Sequence, residues 1–261
     1  MDQNTIKSIA DELHTARKNT APVTQFSDRI EGLTRPDAYS VQEEGIRLRE
    51  ADGEKVIGMK MGLTSEGKRK QMNLDAPLYG VLTDVMQVEN GGKYSMKGKI
   101  HPKIEPEVAF HIKTPLSGKV TREEVLAACS GVYASLEILD SRYEHFKYFS
   151  MEDVISDNSS SSHYILGELT TDFNHLDLKN LNMKMSVNGT VAQEGNSVDI
   201  SGDPVVSVIQ LCELLEARGK GIPADCLVLA GAATAAVALE PGMEVSLEVE
   251  GLKPISVSIG E

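Results

Sequence analysis

The spacing of apolar residues divides the chain into a helical first part and a β-rich remainder. Apolar side chains recur every three or four positions over residues 6–13, which predicts a first helix that is capped by Asn4 or Thr5 and ends near Lys18. A second helix is expected from about Asp37 to Glu50, where strong helix formers dominate. After residue 75 the pattern changes to short apolar runs interrupted by Gly and Asn, which is typical of strands and turns.

Three further helices and at least five strands follow from local signals. A short helix is expected around 66–72, a capping box predicts another from Thr121 to about Cys129, and Asp203–Pro204 predicts a third that Gly219 ends. Strands are predicted near residues 163–168, 183–187, 226–230, 243–249 and 254–259. This order of elements indicates an α+β protein with a small, mostly helical N-terminal region (1–80) and a β-rich core (81–261).

Composition narrows the function classes. The net charge of −13 argues against a nucleic-acid partner, because phosphate binding needs clustered Lys and Arg, and it favours a site for a cation. The longest apolar run, residues 226–239, is too short to span a bilayer, so no membrane association is expected. Cys129, Cys212 and Cys226 form neither a disulfide framework nor a zinc spacing, and we expect the first two to lie in helices. A reducing, cytoplasmic compartment is therefore predicted.

Glu105 and Glu107 carry the strongest chemical signal. They precede the apolar run 108–112, and two residues at this spacing on a strand point to the same face. Glu137 lies in a second strand-like run, on the same face as Ser135. Three acids without a neighbouring His or Cys suggest an all-oxygen site for Mg²⁺ or Mn²⁺. From the spacing alone, the solvated face of an edge strand is the favoured explanation of Glu105 and Glu107, because this spacing of acids is common in acidic proteins.

Several short motifs together resemble one family of enzymes. They are K-M-G-L-T-S at 60–65, P-L-Y-G at 77–80, H-P-K-I-E-P-E at 101–107, E-I-L-D-S-R-Y-E at 137–144, S-D-N-S-S at 156–160, and the helix that ends in R-G at 218–219. In this order they resemble the hydratase and decarboxylase branch of the fumarylacetoacetate hydrolase superfamily. The resemblance implies that superfamily's β-rich core of mixed sheets rolled into a barrel-like sandwich, a divalent metal and a homo-oligomer.

Two runs resemble the 4-oxalocrotonate decarboxylases of this branch more than the 2-oxopent-4-enoate hydratases. They are D-S-R-Y-E-H-F-K at 140–147, with His145 where Asn is usual, and A-T-A-A-V at 233–237. The sequence also departs from the family at 230–233, where paired glycines are common. Decarboxylation of 2-oxohex-3-enedioate in the meta-cleavage degradation of aromatic compounds is the function that this resemblance implies first. Hydration of 2-hydroxypenta-2,4-dienoate is the alternative, and a non-catalytic partner subunit of a hydratase–decarboxylase complex is a third.

The resemblance also implies roles for individual side chains. Glu105, Glu107 and Glu137 hold Mg²⁺, where a 2-oxo acid chelates through its carboxylate and keto oxygens and the metal acts as a Lewis acid. Lys60, between Gly58 and Gly62, donates to the developing oxyanion or to the substrate carboxylate.

Other side chains have a structural alternative. Asp157 and Ser160 bind substrate or orient the groups that do, unless they belong to a simple polar turn. Gly231 and Thr234 bind the C1 carboxylate, unless they only pack a tight strand. Arg142 pairs with the distal carboxylate, or with Asp140 or Glu144.

Overall fold

The computed structural model describes residues 1–65, 69, 76–146 and 150–261. Its helices are α1 (Gln3–Asn19), α2 (Arg35–Ala51), α3 (Arg122–Ala128), α4 (Met151–Ser156) and α5 (Pro204–Glu216). The helix that the sequence predicts around 66–72 lies outside the described residues, apart from residue 69. No helix in the described ranges is long and apolar enough to cross a membrane.

Thirteen strands are seen in the described part of the chain. They are β1 (Val56–Gly62), β2 (Leu78–Thr83), β3 (Gln87–Val88), β4 (Lys93–Ser95), β5 (Lys103–Ile112), β6 (Cys129–Leu139), β7 (Ser161–Leu166), β8 (Asn182–Val187), β9 (Thr190–Asn196), β10 (Cys226–Ala232), β11 (Val237–Ala238), β12 (Glu244–Val249) and β13 (Ile255–Gly260). All five predicted strands are present, within about two residues of their expected ends.

The strands form two mixed sheets. The larger has the order β2-β1-β10-β5-β6-β7-β3, with β11 also paired to β5, and it curls into a half-barrel. The smaller has the order β4-β13-β12-β8-β9. Parallel pairs (β1 with β10, β3 with β7, β4 with β13) occur among antiparallel ones. The predicted α+β class with mixed, rolled sheets is therefore confirmed, and the larger of the two sheets is the one that curls.

The two N-terminal helices pack on each other and on the core. Ile9 and Val41 are buried in a small apolar cluster that also contains Phe26 and Tyr143. The buried carboxylate of Asp153 in α4 accepts hydrogen bonds from the backbone N–H of Phe26 (2.8 Å) and of Ser27 (3.2 Å). A charged acceptor for two buried backbone donors fixes the segment after α1 against the core.

Two local predictions were wrong. The cap of α1 is Asp2, not Asn4 or Thr5, because its carboxylate accepts from the backbone N–H of both those residues. Cys129 is not helical: α3 ends at Ala128, and Cys129 opens β6 with extended backbone angles. The capping box at Thr121 and the Asp203–Pro204 helix start were confirmed.

The division at residue 80 stays a prediction, with one structural observation beside it. Strand β1 falls before that residue and β2 spans it, yet both belong to the larger sheet. The elements that stand outside both sheets at the N-terminal end are the helices α1 and α2, up to Ala51.

Gly231 marks an irregularity next to the centre of the larger sheet. The register between β10 and β5 shifts between Leu229 and Ala232, and Gly231 within this bulge has φ +105°. A Cβ atom at Gly231 would lie 2.5 Å from Thr64 Oγ1, so a side chain has no room there. Positive φ and close packing both require glycine at this position.

We predict that Gly231→Ala is more destabilising than Gly242→Ala. Gly242 also has a positive φ, of +88°, but open space surrounds its missing Cβ. Backbone strain should lower the free energy of unfolding of both variants by roughly 1–2 kcal/mol. Overpacking should lower that of Gly231→Ala by about 1–3 kcal/mol more. Urea unfolding of the two variants and the wild type measures the difference, and equal losses would contradict the steric role of Thr64.

Candidate metal centre and active-site cavity

Three glutamates meet on one face of the larger sheet. Glu105 and Glu107 alternate along β5, and Glu137 on β6 is the direct cross-strand partner of Glu105. Each residue offers a carboxylate oxygen, and these oxygens all lie within 4.8 Å of one another. Both Glu107 and Glu137 are 0 % exposed. The antiparallel register therefore assembles three acids in a largely buried cluster, as the alternation of the sequence predicts.

The cluster is electrostatically incomplete. Burial first, and then the nearby charges of Glu137 and Glu105, raise the pKa of Glu107 well above its usual range. Its Oε2 accepts the backbone N–H of Gly231 at 2.9 Å, but its buried Oε1 has no hydrogen-bond partner among the described residues. A divalent cation fits this arrangement, because it would bind the orphan oxygen and offset the mutual repulsion of the acids.

Lys60 supplies a positive charge at one side of the cluster. Its Nζ lies 3.1 Å from both carboxylate oxygens of Glu137, and the residue is 2 % exposed. The flanking glycines are closely packed: a Cβ at Gly62 would lie 2.8 Å from Ser159 Oγ, and one at Gly58 would lie 2.3 Å from the Leu227 carbonyl oxygen. The ammonium group is held beside the carboxylate cluster by its contacts with Glu137.

A cavity of about 180 Å³ opens beside the cluster. Its lining includes both polar and apolar residues. The described lining residues are Lys60, Gly62, Leu63, Thr64, Ser65, Glu105, Leu139, Phe146, Val154, Ser159, Ser160 and Ala232. A small organic acid that reaches Glu105 and Lys60 would thus meet hydroxyl groups as well as apolar side chains.

Of the loop residues that the sequence suggests, Ser160 lines this cavity and Asp157 lies behind it. The Ser160 hydroxyl donates to Asp157 Oδ2 at 3.2 Å, and Asp157 also accepts from the backbone N–H of Arg142 at 3.2 Å. Burial raises the pKa of Asp157 to about 6, although the Arg142 guanidinium opposes the shift. Asp157 therefore orients Ser160 and is not itself among the described cavity-lining residues.

Arg142 is engaged elsewhere. Its side chain is 6 % exposed, forms an ion pair with Asp157, and donates to the backbone carbonyls of Asp140, Asp157 and Ser161. It is not among the described residues that line the cavity. The internal pair predicted for Arg142 exists, but its carboxylate partner is Asp157 instead of Asp140 or Glu144.

Gly231 and Thr234 are adjacent to the site in different ways. The N–H of Gly231 donates to Glu107, so it orients one carboxylate of the cluster. Thr234 is 7 % exposed, and its Cγ2 lies 2.6 Å from the Cβ position of Gly195, so its side chain packs against β9. The described lining of the cavity contains neighbouring Ala232 but neither Gly231 nor Thr234.

Two hydroxyl groups of the site were not singled out from the sequence. Ser161 Oγ donates to Glu137 Oε1 at 3.4 Å. Ser135, directly opposite Glu107, is 0 % exposed, and its hydroxyl has no hydrogen-bond partner among the described residues. The signal for Ser135 was available, since it shares the strand face of Glu137. Ser161 required knowledge of which end of the serine run meets β6.

Comparisons with known proteins agree with this geometry. Residues 65–259 match the family described as "Fumarylacetoacetate (FAA) hydrolase C-terminal". The chain is 38% identical to 4-oxalocrotonate decarboxylase of Pseudomonas sp. (strain CF600), over 98% of this chain and 97% of the relative. It is 35% identical to 2-hydroxyhexa-2,4-dienoate hydratase of Comamonas testosteroni, over 100% and 99%.

A solved structure extends the likeness to the whole fold. 4-Oxalocrotonate decarboxylase from Pseudomonas putida G7, complexed with magnesium and adipate, superposes with a TM-score of 0.96 at 36% identity and covers 99% of this chain and 98% of its own. The family match, the full-length relatives and the buried carboxylate cluster point the same way. This chain is an enzyme that belongs to the fumarylacetoacetate hydrolase family.

Proposed function

We propose that this enzyme decarboxylates 2-oxohex-3-enedioate (4-oxalocrotonate) to 2-hydroxypenta-2,4-dienoate in meta-cleavage degradation of aromatic compounds, with Mg²⁺ as its cofactor. The observation that carries the proposal is the cluster of Glu105, Glu107 and Glu137 beside Lys60 at one cavity. The adipate in the related decarboxylase structure is a six-carbon dicarboxylate, as is the proposed substrate. Mn²⁺ is a possible substitute, because it accepts the same oxygen ligands.

The chain's own residues would bind the 2-oxo acid end. The three glutamates would hold the cation, which supplies Lewis-acid stabilisation of the negative charge that develops on the C2 oxygen. Lys60 Nζ, held 3.1 Å from Glu137, would donate a hydrogen bond to that oxygen or to the C1 carboxylate. Ser160 lines the same cavity, and because its hydroxyl proton is donated to Asp157, its oxygen would act as a hydrogen-bond acceptor towards the substrate.

The electron flow of the reaction suits this site. When the C5–C6 bond breaks, its electron pair forms the C4–C5 double bond, and the C3–C4 pair moves to C2–C3. The C2 oxygen receives the negative charge and a proton, and CO₂ leaves. Leu139, Phe146 and Val154 contribute apolar side chains to the lining of the cavity. Apolar surroundings would favour the neutral CO₂ over the C6 carboxylate, and Arg142 is already paired with Asp157 and would not hold that carboxylate.

The hypothesis that the enzyme is a hydratase has its own support and is the second candidate function. The hydratase of Comamonas testosteroni is nearly as similar to this chain as the decarboxylases are. Addition of water to 2-hydroxypenta-2,4-dienoate would use the same charge stabilisation at C2. A non-catalytic partner subunit is disfavoured, because Lys60 and the three glutamates are present and assembled.

We further propose that the protein is a homo-oligomer that associates with the partner enzyme of the pathway. Its free cysteines are in keeping with a cytoplasmic location.

The proposed reaction predicts which of two substrates is consumed. We expect Mg²⁺-dependent loss of 2-oxohex-3-enedioate absorbance with stoichiometric CO₂ release, and no comparable loss of freshly prepared 2-hydroxypenta-2,4-dienoate. A chelator should abolish the activity, and added Mg²⁺ should restore it. Turnover of the dienoate alone would identify a hydratase, and turnover of neither substrate would support the non-catalytic reading.

Glu107→Gln should weaken Mg²⁺ binding while the fold is retained. The amide removes one anionic ligand, and its volume and the hydrogen bond to Gly231 can be kept. We expect a loss of affinity of at least roughly 10–100-fold, the range that outer-shell changes already cause. Titration calorimetry measures the affinity and circular dichroism checks the fold. Glu213→Gln on the exposed face of α5 is the matched control, and equal affinities in the two variants would contradict the site.

Mg²⁺ affinity should rise as pH increases through the range in which Glu107 loses its proton. Burial and the neighbouring acids raise the pKa of Glu107, so below that pKa the metal-free site holds a proton that the cation must displace. The dissociation constant should therefore fall with increasing pH, by up to about tenfold per pH unit if one proton is released, and the fall should begin above the pH at which an ordinary glutamate titrates. Calorimetry in buffers of different ionisation enthalpy counts the protons, and Glu107→Gln should remove this dependence.

A further inference from the structure

A second cavity, of about 100 Å³, lies between α1, α2 and the larger sheet. It is separate from the cavity beside the three glutamates, because the two cavities share none of their described lining residues. The side chains that give it its chemistry are Arg17, Arg49, Lys99, Arg142, Asp140 and His163. Four cations thus converge on one small space, in a chain whose net charge is −13.

The acids around this cavity do not fully balance its cations. Glu54 lies 2.7 Å from Arg49 Nε and 3.4 Å from an Arg17 terminal nitrogen, and Asp157 pairs with Arg142. Asp140 accepts the backbone N–H groups of Ile100 and His101. The more exposed Asp52, 3.8 Å from Arg17, is also held by Lys18 and His14. Four cations against Glu54, Asp140 and Asp157 leave one positive charge.

Two of the cations have N–H donors that are available to a ligand. The buried Nε of Arg17 has no hydrogen-bond partner in the described part of the chain. Lys99 forms no ion pair with any described residue, and its ammonium lies 5.8 Å from the centre of the Tyr94 ring. Free N–H groups of a guanidinium and an ammonium are the donors that bind oxyanions in proteins.

The electrostatics of neighbouring groups agree with an excess of positive charge. Burial, followed by repulsion from Lys99, Arg49 and Arg17, lowers the pKa of His163 to about 3, so its ring is neutral. Burial lowers the pKa of Lys99 as well; Asp140 opposes this shift, and the three arginines add to it. An anion in the cavity would relieve repulsion that the protein's own acids leave.

We propose that this cavity, which we call the arginine cavity, binds a small oxyanion such as a carboxylate or inorganic phosphate. Arg17 and Lys99 are its principal donors, and Arg49 and Arg142 add their charge. The volume suits an anion of the size of acetate or phosphate. The bound anion joins α1 and α2 to the loop before β5, which carries Lys99, and so stabilises the attachment of the N-terminal helices.

The test measures the thermal midpoint of the Mg²⁺-loaded protein in phosphate and, separately, in acetate, each against chloride at equal ionic strength. When the anion concentration is about ten times the dissociation constant, binding should raise the thermal midpoint of the wild type by roughly 3–5 °C. Arg17→Gln and Lys99→Met should each lose that increment. Lys18→Gln, on the same helix, should keep it, because Lys18 is exposed and pairs with Asp52.

Glu107→Gln separates this cavity from the metal centre. The anion-dependent increment should persist in that variant, since Glu107 lies in the metal centre and not in the arginine cavity. The comparison uses the increment and not the absolute midpoint, so a general loss of stability in one variant does not obscure it. The proposal is overturned if neither anion raises the midpoint of the wild type, if Arg17→Gln and Lys99→Met respond like the wild type, or if Glu107→Gln abolishes the response.

Discussion

The repulsion among three carboxylates whose oxygens lie within 4.8 Å of one another is the constraint that shapes this structure. Buried like charges are unstable without a compensating positive charge, a proton or a metal ion. Every feature around the cluster supplies part of that compensation. Lys60 pairs with Glu137, Ser161 donates to it, and the backbone of Gly231 donates to Glu107. These contacts do not offset all of the negative charge, so the cluster keeps the capacity to bind a cation.

The same constraint accounts for the close packing and the hydrogen bonds around the cluster. The N–H of Gly231 reaches Glu107 because the bulge in β10 turns the backbone towards β5, and that bulge needs a positive φ and the space next to Thr64. Behind the cavity, Asp157 and Arg142 neutralise each other and hold Ser160 in position. A site whose ligands and donors are fixed before substrate arrives does not have to reorganise during the reaction.

Much of the site was predictable because strand geometry is regular. The alternation of Glu105 and Glu107, and the position of Glu137 on a second strand, define one face without knowledge of the tertiary structure. The partner of Arg142 was not predictable, because Asp157 follows it by fifteen residues and a loop and a helix intervene. Similarly, local patterns placed Cys129 in a helix, but pairing with β5 draws it into a strand. Local periodicity cannot predict contacts between segments that are brought together by a reversal of the chain direction.

The order of strands in the larger sheet has a consequence for the synthesis of the protein. Lys60 lies on β1, and among the described strands it is β10, which begins at Cys226, that joins β1 to the glutamate-bearing strand β5. A ribosome therefore exposes the lysine and all three acids well before the strand that brings them together has been made. Until β10 inserts, the acids have neither the N–H of Gly231 nor a fixed ammonium beside them. The assembled carboxylate cluster is consequently a late product of folding, because it is complete only when β10 has paired with both β1 and β5.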